Sequence, residues 1–472
     1  MKKIKTDLLV IGAGSGGLSV AAGAVQMGAK VVLLEDHKMG GDCLNYGCVP
    51  SKALIAAGKQ AYALRHGSQF GVADVEPKVD YAAAKDHVNK VIATIAPVDS
   101  EERFEGLGVT VIRERGRFTG ENSVMAGDTE ITARRIVVAT GSSPFVPPIL
   151  GLENVPYLTN ESLWDLRELP EHLLIVGGGP IGIEMAQAHL RLGSKVTVIE
   201  GMKAMGKDDP ELAAVVLDRM REEGMVIEED TMAEQISGRA GDITVTAKDG
   251  RVFKGTHLLM AVGRAANVND LDLERAGVEY SRGGIEVDAS MKTTNKKIYA
   301  IGDVAGQLQF THVAGYHAGV VIRSILFGLP SKAKQGHIPW ATYTDPELVQ
   351  VGLTEAQARE EHGDKAEVYR FPFHENDRAI AEGKTTGLIK VMVVKGRPVG
   401  ASIVGASAGD LIGVWALALA NNLKMSQIAG MVAPYPTLGE VNKRVAGAYF
   451  SPRLFESDMV KKVVGFVQKF LP

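Results

Sequence analysis

Residues 8–35 read LLVIGAGSGGLSVAAGAVQMGAKVVLLE, and residues 173–200 read LLIVGGGPIGIEMAQAHLRLGSKVTVIE. Laid side by side, Gly12/Gly177, Gly14/Gly179, Gly17/Gly182, Ala21/Ala186, Gly28/Gly193, Lys30/Lys195 and Glu35/Glu200 coincide. Each copy is an apolar strand, a G-x-G-x-x-G turn, a helix, a glycine turn, a second apolar strand and a carboxylate. A lone G-x-G-x-x-G is weak evidence, but two complete units predict two dinucleotide-binding folds. The first glycine makes the tight turn, the second lets the backbone approach a pyrophosphate, and the third packs helix on strand. The helix N-terminus then receives the negative charge. The closing carboxylate takes hydrogen bonds from an adenosine ribose; at Glu200 it also repels a 2′-phosphate, which favours NADH over NADPH, although Lys203 lies close by.

Both cysteines of the chain fall in GGDCLNYGCVPSK, residues 40–52. A bridge from Cys43 to Cys48 closes so small a ring that it stabilises little. Reactivity explains the pair better. Pro50 and the Ala/Leu-rich run after it predict a helix starting just beyond Cys48. The macrodipole and free N–H groups there favour a thiolate, and Lys52 adds positive charge. A low-pKa sulfur beside a second sulfur is what thiol–disulfide exchange needs. The alternatives are two inert buried thiols or half of a metal site.

A chain of 472 residues with 45% hydrophobic residues, 23% charged residues and 54 glycines suits an α/β protein of about three domains. The net charge of −4 gives no electrostatic case for nucleic acid or an anionic membrane. Two cysteines in one redox-style pair argue for a reducing compartment, hence the cytoplasm. The start, MKKIK before an apolar stretch, imitates a secretory leader, but Asp7 and the glycines from Gly12 onward fit a strand and turn instead. No apolar run is long enough to span a membrane.

Residues 51–65 and 79–105 read as helices. The strands IVVATG (136–141), HLLMAVGR (257–264) and IYAIGD (298–303) carry Thr140, Gly141, Gly263 and Asp303 at their carboxyl ends, where open α/β sheets bind ligands. Linkers fall near 145–172 and 329–339. Beyond them, 388–404 reads as a hairpin, and 408–421 and 437–449 as helices.

The ordered set GAGSGG, GGDCLNYGCVPSK, ATGSSP, GGGPIGIE, AVGR, YAIGDVAG and YTDPELVQVGLTE resembles the flavoprotein disulfide reductase family along essentially the whole chain. That family includes dihydrolipoyl dehydrogenase, glutathione reductase and mercuric reductase. The resemblance implies an FAD-binding domain over 1–150 to which 282–339 returns, an NAD(P)-binding domain over 151–281, and an α+β dimerisation domain over 340–472. It implies that Gly12, Gly14, Gly17, Glu35, Gly41, Thr140, Gly141 and Asp303 hold FAD, with Lys52 beside the flavin. Gly177, Gly179, Gly182, Glu200 and Gly263 hold NAD. Cys48 lies against the flavin, Cys43 attacks substrate, and Lys52 pairs with Glu184.

The chain departs from the family in three places. Asp42 stands where threonine is usual. Tyr435 stands where dihydrolipoyl dehydrogenase and glutathione reductase carry a catalytic histidine, although Glu440 keeps the accompanying carboxylate. Mercuric reductase shares the tyrosine, yet this chain ends VVGFVQKFLP without that enzyme's cysteine pair. Tyrosine, with a pKa near 10, is a poor base at neutral pH. The expectation is therefore an NADH-linked FAD disulfide oxidoreductase working on a dithiol, disulfide or soft-metal–thiol substrate, free or protein-bound. The alternatives are a dihydrolipoyl dehydrogenase serving a specialised lipoyl protein with His312, His317 or Glu440 as base, a mercuric reductase-like metal reductase, and a low-turnover flavin/NADH sensor. The resemblance also implies a homodimer in which Tyr435 and Glu440 face the partner subunit's Cys43; alternatively Tyr435 only packs at an interface. No resident metal is expected.

Overall fold

The computed structural model describes residues 2–306 and 308–471. The chain forms two compact units, one of residues 1–65, 76–201 and 230–334, the other of 66–75, 202–229 and 335–472. The expected α/β class holds: two dinucleotide-binding folds share the first unit, and an α+β fold makes up the second.

In the first unit, β1 (Lys2–Ile11), α1 (Ser15–Gln26) and β2 (Val31–Leu34) form the first fingerprint. The short helix α2 (Gly41–Asn45) and the long helix α3 (Cys48–Arg65) follow. β3 (Thr110–Ile112) and β4 (Thr129–Val138) complete a parallel run in the order β3-β2-β1-β4. Leu8 pairs with Val31 and Leu9 with Ile136. Leu8–Ile11 and Val31–Leu34 are buried on both faces, as a parallel sheet covered on both sides requires. β4 changes pattern along its length. Its first half alternates between buried and partly exposed where the hairpin 116–126 pairs with it, and its end, Ile136–Val138, is continuously buried.

The second fingerprint is β5 (His172–Val176), α4 (Pro180–Leu192) and β6 (Lys195–Ile199), with β7 (His257–Met260) parallel to β5 on its other side. β8 (Ile298–Ala300) then returns to the first sheet beside β4, and α5 (Thr311–Phe327) follows. The expected strands to 141, 264 and 303 stop at Val138, Met260 and Ala300. The ligand-side residues sit in the turns just beyond, where backbone such as Gly141 at φ +70° leaves the pleat. The single helix expected over 79–105 is divided. Tyr81–Ile95 is α-helical, Ala96–Asp99 tightens around Pro97, and Ser100 caps a new helix from Glu101.

The second unit is built on an antiparallel sheet of β9 (Pro339–Thr342), β10 (Glu347–Gly352), β11 (Ala366–Pro372), β12 (Leu388–Val394) and β13 (Arg397–Gly405), ordered β9-β10-β13-β12-β11. The expected hairpin is β12–β13, turned by Lys395 and Gly396, both at positive φ. Its core includes Trp415, whose indole N–H donates to Asn442 Oδ1 at 2.7 Å. The buried Lys390 ammonium sits between Asp209 (2.9 Å), Glu211 (2.6 Å) and Glu355 (3.0 Å), so its charge is fully compensated. The helices α6 (Glu440–Phe455) and α7 (Asp458–Phe470) follow. Among the described residues no helix is long and apolar enough to cross a membrane.

Candidate active site

The two nucleotide turns have the same construction. A Cβ on Gly17 would collide with the Gly12 carbonyl, and one on Gly182 with the Gly177 carbonyl, so each third glycine lets its helix seat directly on the turn. The backbone N–H of Ala13 donates to Glu35 Oε2 at 2.8 Å, and that of Gly178 donates to Glu200 Oε2 at 2.6 Å. Burial pushes the Glu35 carboxyl above its ordinary range, against the pull of the Ala13 and His37 amides. Gly14 and Gly179 immediately precede α1 and α4, whose open N–H groups face the turn. Thr140 is held by Asn267, the Thr140 hydroxyl donating to the Asn267 carbonyl at 2.8 Å and the Asn267 amide to the Thr140 carbonyl at 2.9 Å. Gly263 adopts φ +133° just beyond β7. These cradles fit one FAD at the first turn and one NAD(P) at the second.

The cysteine loop is tied to the first turn. The Gly40 N–H donates to the Ala13 carbonyl at 2.9 Å, and Gly41 passes so close that a Cβ there would lie 2.7 Å from Gly14 Cα. Cys43 lies on α2, and α3 begins at Cys48 itself, three residues before the expected start at 51. Both thiols are free and hydrogen-bonded to each other, and the Cys48 sulfur also contacts the Thr311 hydroxyl at 3.5 Å. Cys48 keeps solvent contact, yet its pKa is lowered to about 6. The Cys43 hydrogen bond is the main cause, helped by Thr311 and the Lys52 charge and opposed by desolvation. The same bond, with desolvation, holds the Cys43 thiol far above its ordinary range. The two shifts run in opposite directions because one bond joins the sulfurs, and both favour negative charge on Cys48 over Cys43. A cavity of about 360 Å³ opens beside them, walled by Leu18, Leu44, Val49 and Ile95 with Asp99 and Arg103; Cys43 lines it and Cys48 does not.

Lys52, one turn into α3, has its ammonium 2.7 Å from Glu184 Oε2 on α4. The helices approach because α3 presents Gly58 to α4, where an added Cβ would sit 3.1 Å from the Ala188 carbonyl. Glu184 is buried and Lys52 half-exposed.

Asp303 and Asp42 meet on Arg264, a residue the sequence reading passed over although it closes the quoted AVGR motif. The Arg264 guanidinium donates to Ser142 Oγ at 2.7 Å and to the Ser142 carbonyl at 2.6 Å. It also pairs with Asp42 at 3.1 Å and lies 3.9 Å from Asp303. Ser142 in turn donates to Asp303 Oδ2 at 2.6 Å, and Asn160 donates to Asp42 Oδ1 at 3.2 Å. Burial raises the Asp303 carboxyl above its usual range. An aspartate in the threonine's place thus has a cation and an amide to receive it. Thr311 was also missed, since nothing in its local sequence points to Cys48.

Tyr435 and Glu440 lie in the second unit. Tyr435 is 69% exposed, and its hydroxyl donates to Asp377 Oδ2 at 2.8 Å, which raises its pKa further. Glu440 opens α6 and is half-buried. Of the histidines considered as substitute bases, His317 is fully buried. Its Nδ1 accepts from the Gly302 N–H, and burial lowers its pKa. His312 is exposed, stacked on Phe310, and adjacent in sequence to Thr311. Among the described residues no group of His, Cys, Asp and Glu could hold a metal ion.

Residues 6–318 match the family described as pyridine nucleotide-disulphide oxidoreductase, and residues 338–446 match its dimerisation domain. The chain belongs to the pyridine nucleotide-disulphide oxidoreductases. Mercuric reductase of Bacillus cereus is 34% identical over 443 residues, spanning 92% of this chain and 70% of that one. Dihydrolipoyl dehydrogenase of Bacillus subtilis is also 34% identical, over 460 residues, 94% of this chain and 96% of that one. Among solved structures, the Cu(II) complex of the HOCl-induced flavoprotein disulfide reductase RclA from Escherichia coli superposes with a TM-score of 0.83. It has 28% sequence identity and covers 93% of this chain and 99% of that one. The protein is therefore a flavoprotein disulfide oxidoreductase that works with FAD and NAD(P)H, and its dimerisation domain supports a homodimer. Relatives named for different substrates match it equally, so the substrate has to be argued from the site.

Proposed function

We propose that this protein is an NADH-driven reductase of a disulfide or of a soft metal ion held by thiols, working through Cys43 and Cys48 in the cytoplasm. The observation that carries the reading is the placement of the thiol pair. Cys43 lines the cavity, whereas Cys48 stands outside its lining at the start of α3, where its bond to Cys43 and the Lys52 charge pull its pKa down. Bound FAD, held by the Gly12–Gly17 turn, Glu35, Gly41, Thr140, Gly141 and Asp303, would supply the two-electron relay between nicotinamide and sulfur.

The chain's own residues then run the exchange. Cys43 attacks one sulfur of the incoming disulfide as its proton passes to Cys48; a mixed disulfide forms and one substrate thiolate leaves. Cys48 then attacks the Cys43 sulfur, the Cys43–Cys48 bond closes, and the second substrate sulfur departs with the proton. One proton and one negative charge enter with the pair and leave with the two product sulfurs. The Lys52 ammonium steadies the thiolate and is itself fixed by Glu184. Glu200 favours NADH, because a 2′-phosphate would meet a carboxylate.

The opposite direction, oxidation of a dithiol, needs a base to take the substrate's proton. Tyr435 donates its own hydrogen to Asp377, so it serves as a neutral hydroxyl facing the partner subunit's Cys43, with Glu440 beside it in that arrangement. A second reading, dihydrolipoyl dehydrogenase activity on a specialised lipoyl protein, is favoured by one observation: the exposed His312 adjoins Thr311, which touches Cys48. Reduction of NAD by free dihydrolipoamide from pH 6 to 9, in the wild type and in Tyr435→His, separates the two. Slow wild-type turnover raised about 10²-fold or more by histidine supports the reductase. Brisk wild-type turnover overturns it and establishes the dehydrogenase.

A further inference from the structure

The last helix, α7, reads DMVKKVVGFVQKF, and none of its side chains is buried. At about 100° per residue its apolar side chains fall on one unbroken arc of about 160°. Asp458, Lys461, Lys462, Gln468, Lys469 and Gly465 occupy the rest. The apolar face is open to solvent: Met459 is 77% exposed, Phe466 59% and Phe470 60%. Ser457 caps the helix, accepting from the Val460 N–H, so α7 is a defined element and not a frayed tail. It also lies beyond residue 446, where the match to the dimerisation domain ends.

A contiguous exposed apolar face of this kind marks a site of interaction with a protein or a membrane. The arc is too wide for the narrow a/d seam through which two helices of a coiled coil meet. Half of the helix surface is apolar, and its bulk comes from Phe, Met and Val. Three lysines stand opposite one aspartate on the polar side, although the whole chain carries a net charge of −4. Charge and bulk together describe a helix lying in the plane of a bilayer, side chains in the acyl boundary and lysines among anionic headgroups. The geometry points to α7 as a peripheral attachment site for an anionic lipid bilayer. At 13 residues it is too short to span one.

The test is flotation of the FAD-loaded 472-residue protein with vesicles of equimolar phosphatidylcholine and phosphatidylglycerol, and separately with phosphatidylcholine alone. Binding to the anionic vesicles that salt weakens is the expected result. Replacing Phe466 and Phe470 by Asp lowers the bound fraction about tenfold or more. Replacing Lys461, Lys462 and Lys469 by Glu lowers it about a hundredfold. NADH oxidation with a dye acceptor stays at the wild-type rate in both variants, because α7 buries nothing; a chain truncated after Glu456 provides the same control. No flotation with either vesicle overturns the proposal. So does a wild-type protein that sediments as an assembly larger than a dimer and returns to a dimer in the Phe variant, since a second copy would then cover the face.

Discussion

The cysteine loop and the tyrosine loop each place a candidate catalytic group at the start of a helix, Cys48 opening α3 and Glu440 opening α6, yet they are built differently. The cysteine loop is fastened to the first nucleotide turn through Gly40 and Gly41, and it is charged by Lys52, which a buried carboxylate on another helix fixes at 2.7 Å. The tyrosine loop leaves Tyr435 69% exposed with one hydrogen bond, to Asp377. The first is preorganised within one compact unit. The second is a surface that acquires a role only when something is placed against it, and preorganised groups are the ones whose removal costs rate.

Disabling each loop in the same assay separates the two constructions most widely. Cys48→Ser should reduce NADH-driven disulfide turnover about 10⁴-fold or more, because the resolving sulfur is gone. Its turnover with a dye that takes electrons without thiols should survive. Tyr435→Phe, which deletes only the hydroxyl bonded to Asp377, should cost less than about tenfold. Equal losses in the two variants would show that the exposed loop is as much part of the machinery as the thiols.

Next in size is the ion pair. Glu184→Gln keeps the shape of the side chain and removes the charge facing Lys52. Loss of about 10²-fold in NADH-linked turnover is expected, since the ammonium is no longer fixed beside the thiols. Rescue by Glu184→Asp, in part, would mark the role as electrostatic; a loss confined to thermal stability, with turnover intact, would reduce the pair to a structural contact between α3 and α4.

Much of this was readable in the chain and some was not, for physical reasons that differ by residue. The two fingerprints are local: strand, glycine turn, helix and carboxylate follow one another, so the repeat alone predicts both turns. Cys43 and Cys48 carry their own context in Pro50 and Lys52. The Lys52–Glu184 contact joins positions far apart in sequence, and only the family resemblance put them together. Arg264 was invisible in its role, because nothing near AVGR says that its side chain collects Ser142, Asp42 and Asp303. The strand ends were read too long, since a buried apolar strand and the apolar start of its turn look alike until backbone such as that of Gly141 changes hand. The overall charge of −4 likewise hid the three lysines of α7, because a sum over the chain erases a local patch.

The smallest expected effects concern the thiolate, and they run in opposite directions from adjacent residues. With the ultraviolet absorbance of the thiolate as readout, the reduced protein should titrate with a midpoint near pH 6, thiolate above it and thiol below. Disulfide turnover should therefore fall as pH drops through that range. Cys43→Ala removes the leading cause of the depressed pKa and should move the midpoint up toward the ordinary thiol range near 8.5. Asp42→Thr removes a negative charge that raises the Cys48 pKa, so its midpoint should move down. That shift must be the smaller one, because Arg264 at 3.1 Å already offsets most of the Asp42 charge. An upward shift in Asp42→Thr would mean that the freed guanidinium turns away from the thiols, and that Asp42 acts on Cys48 by holding Arg264 in place more than by its own charge.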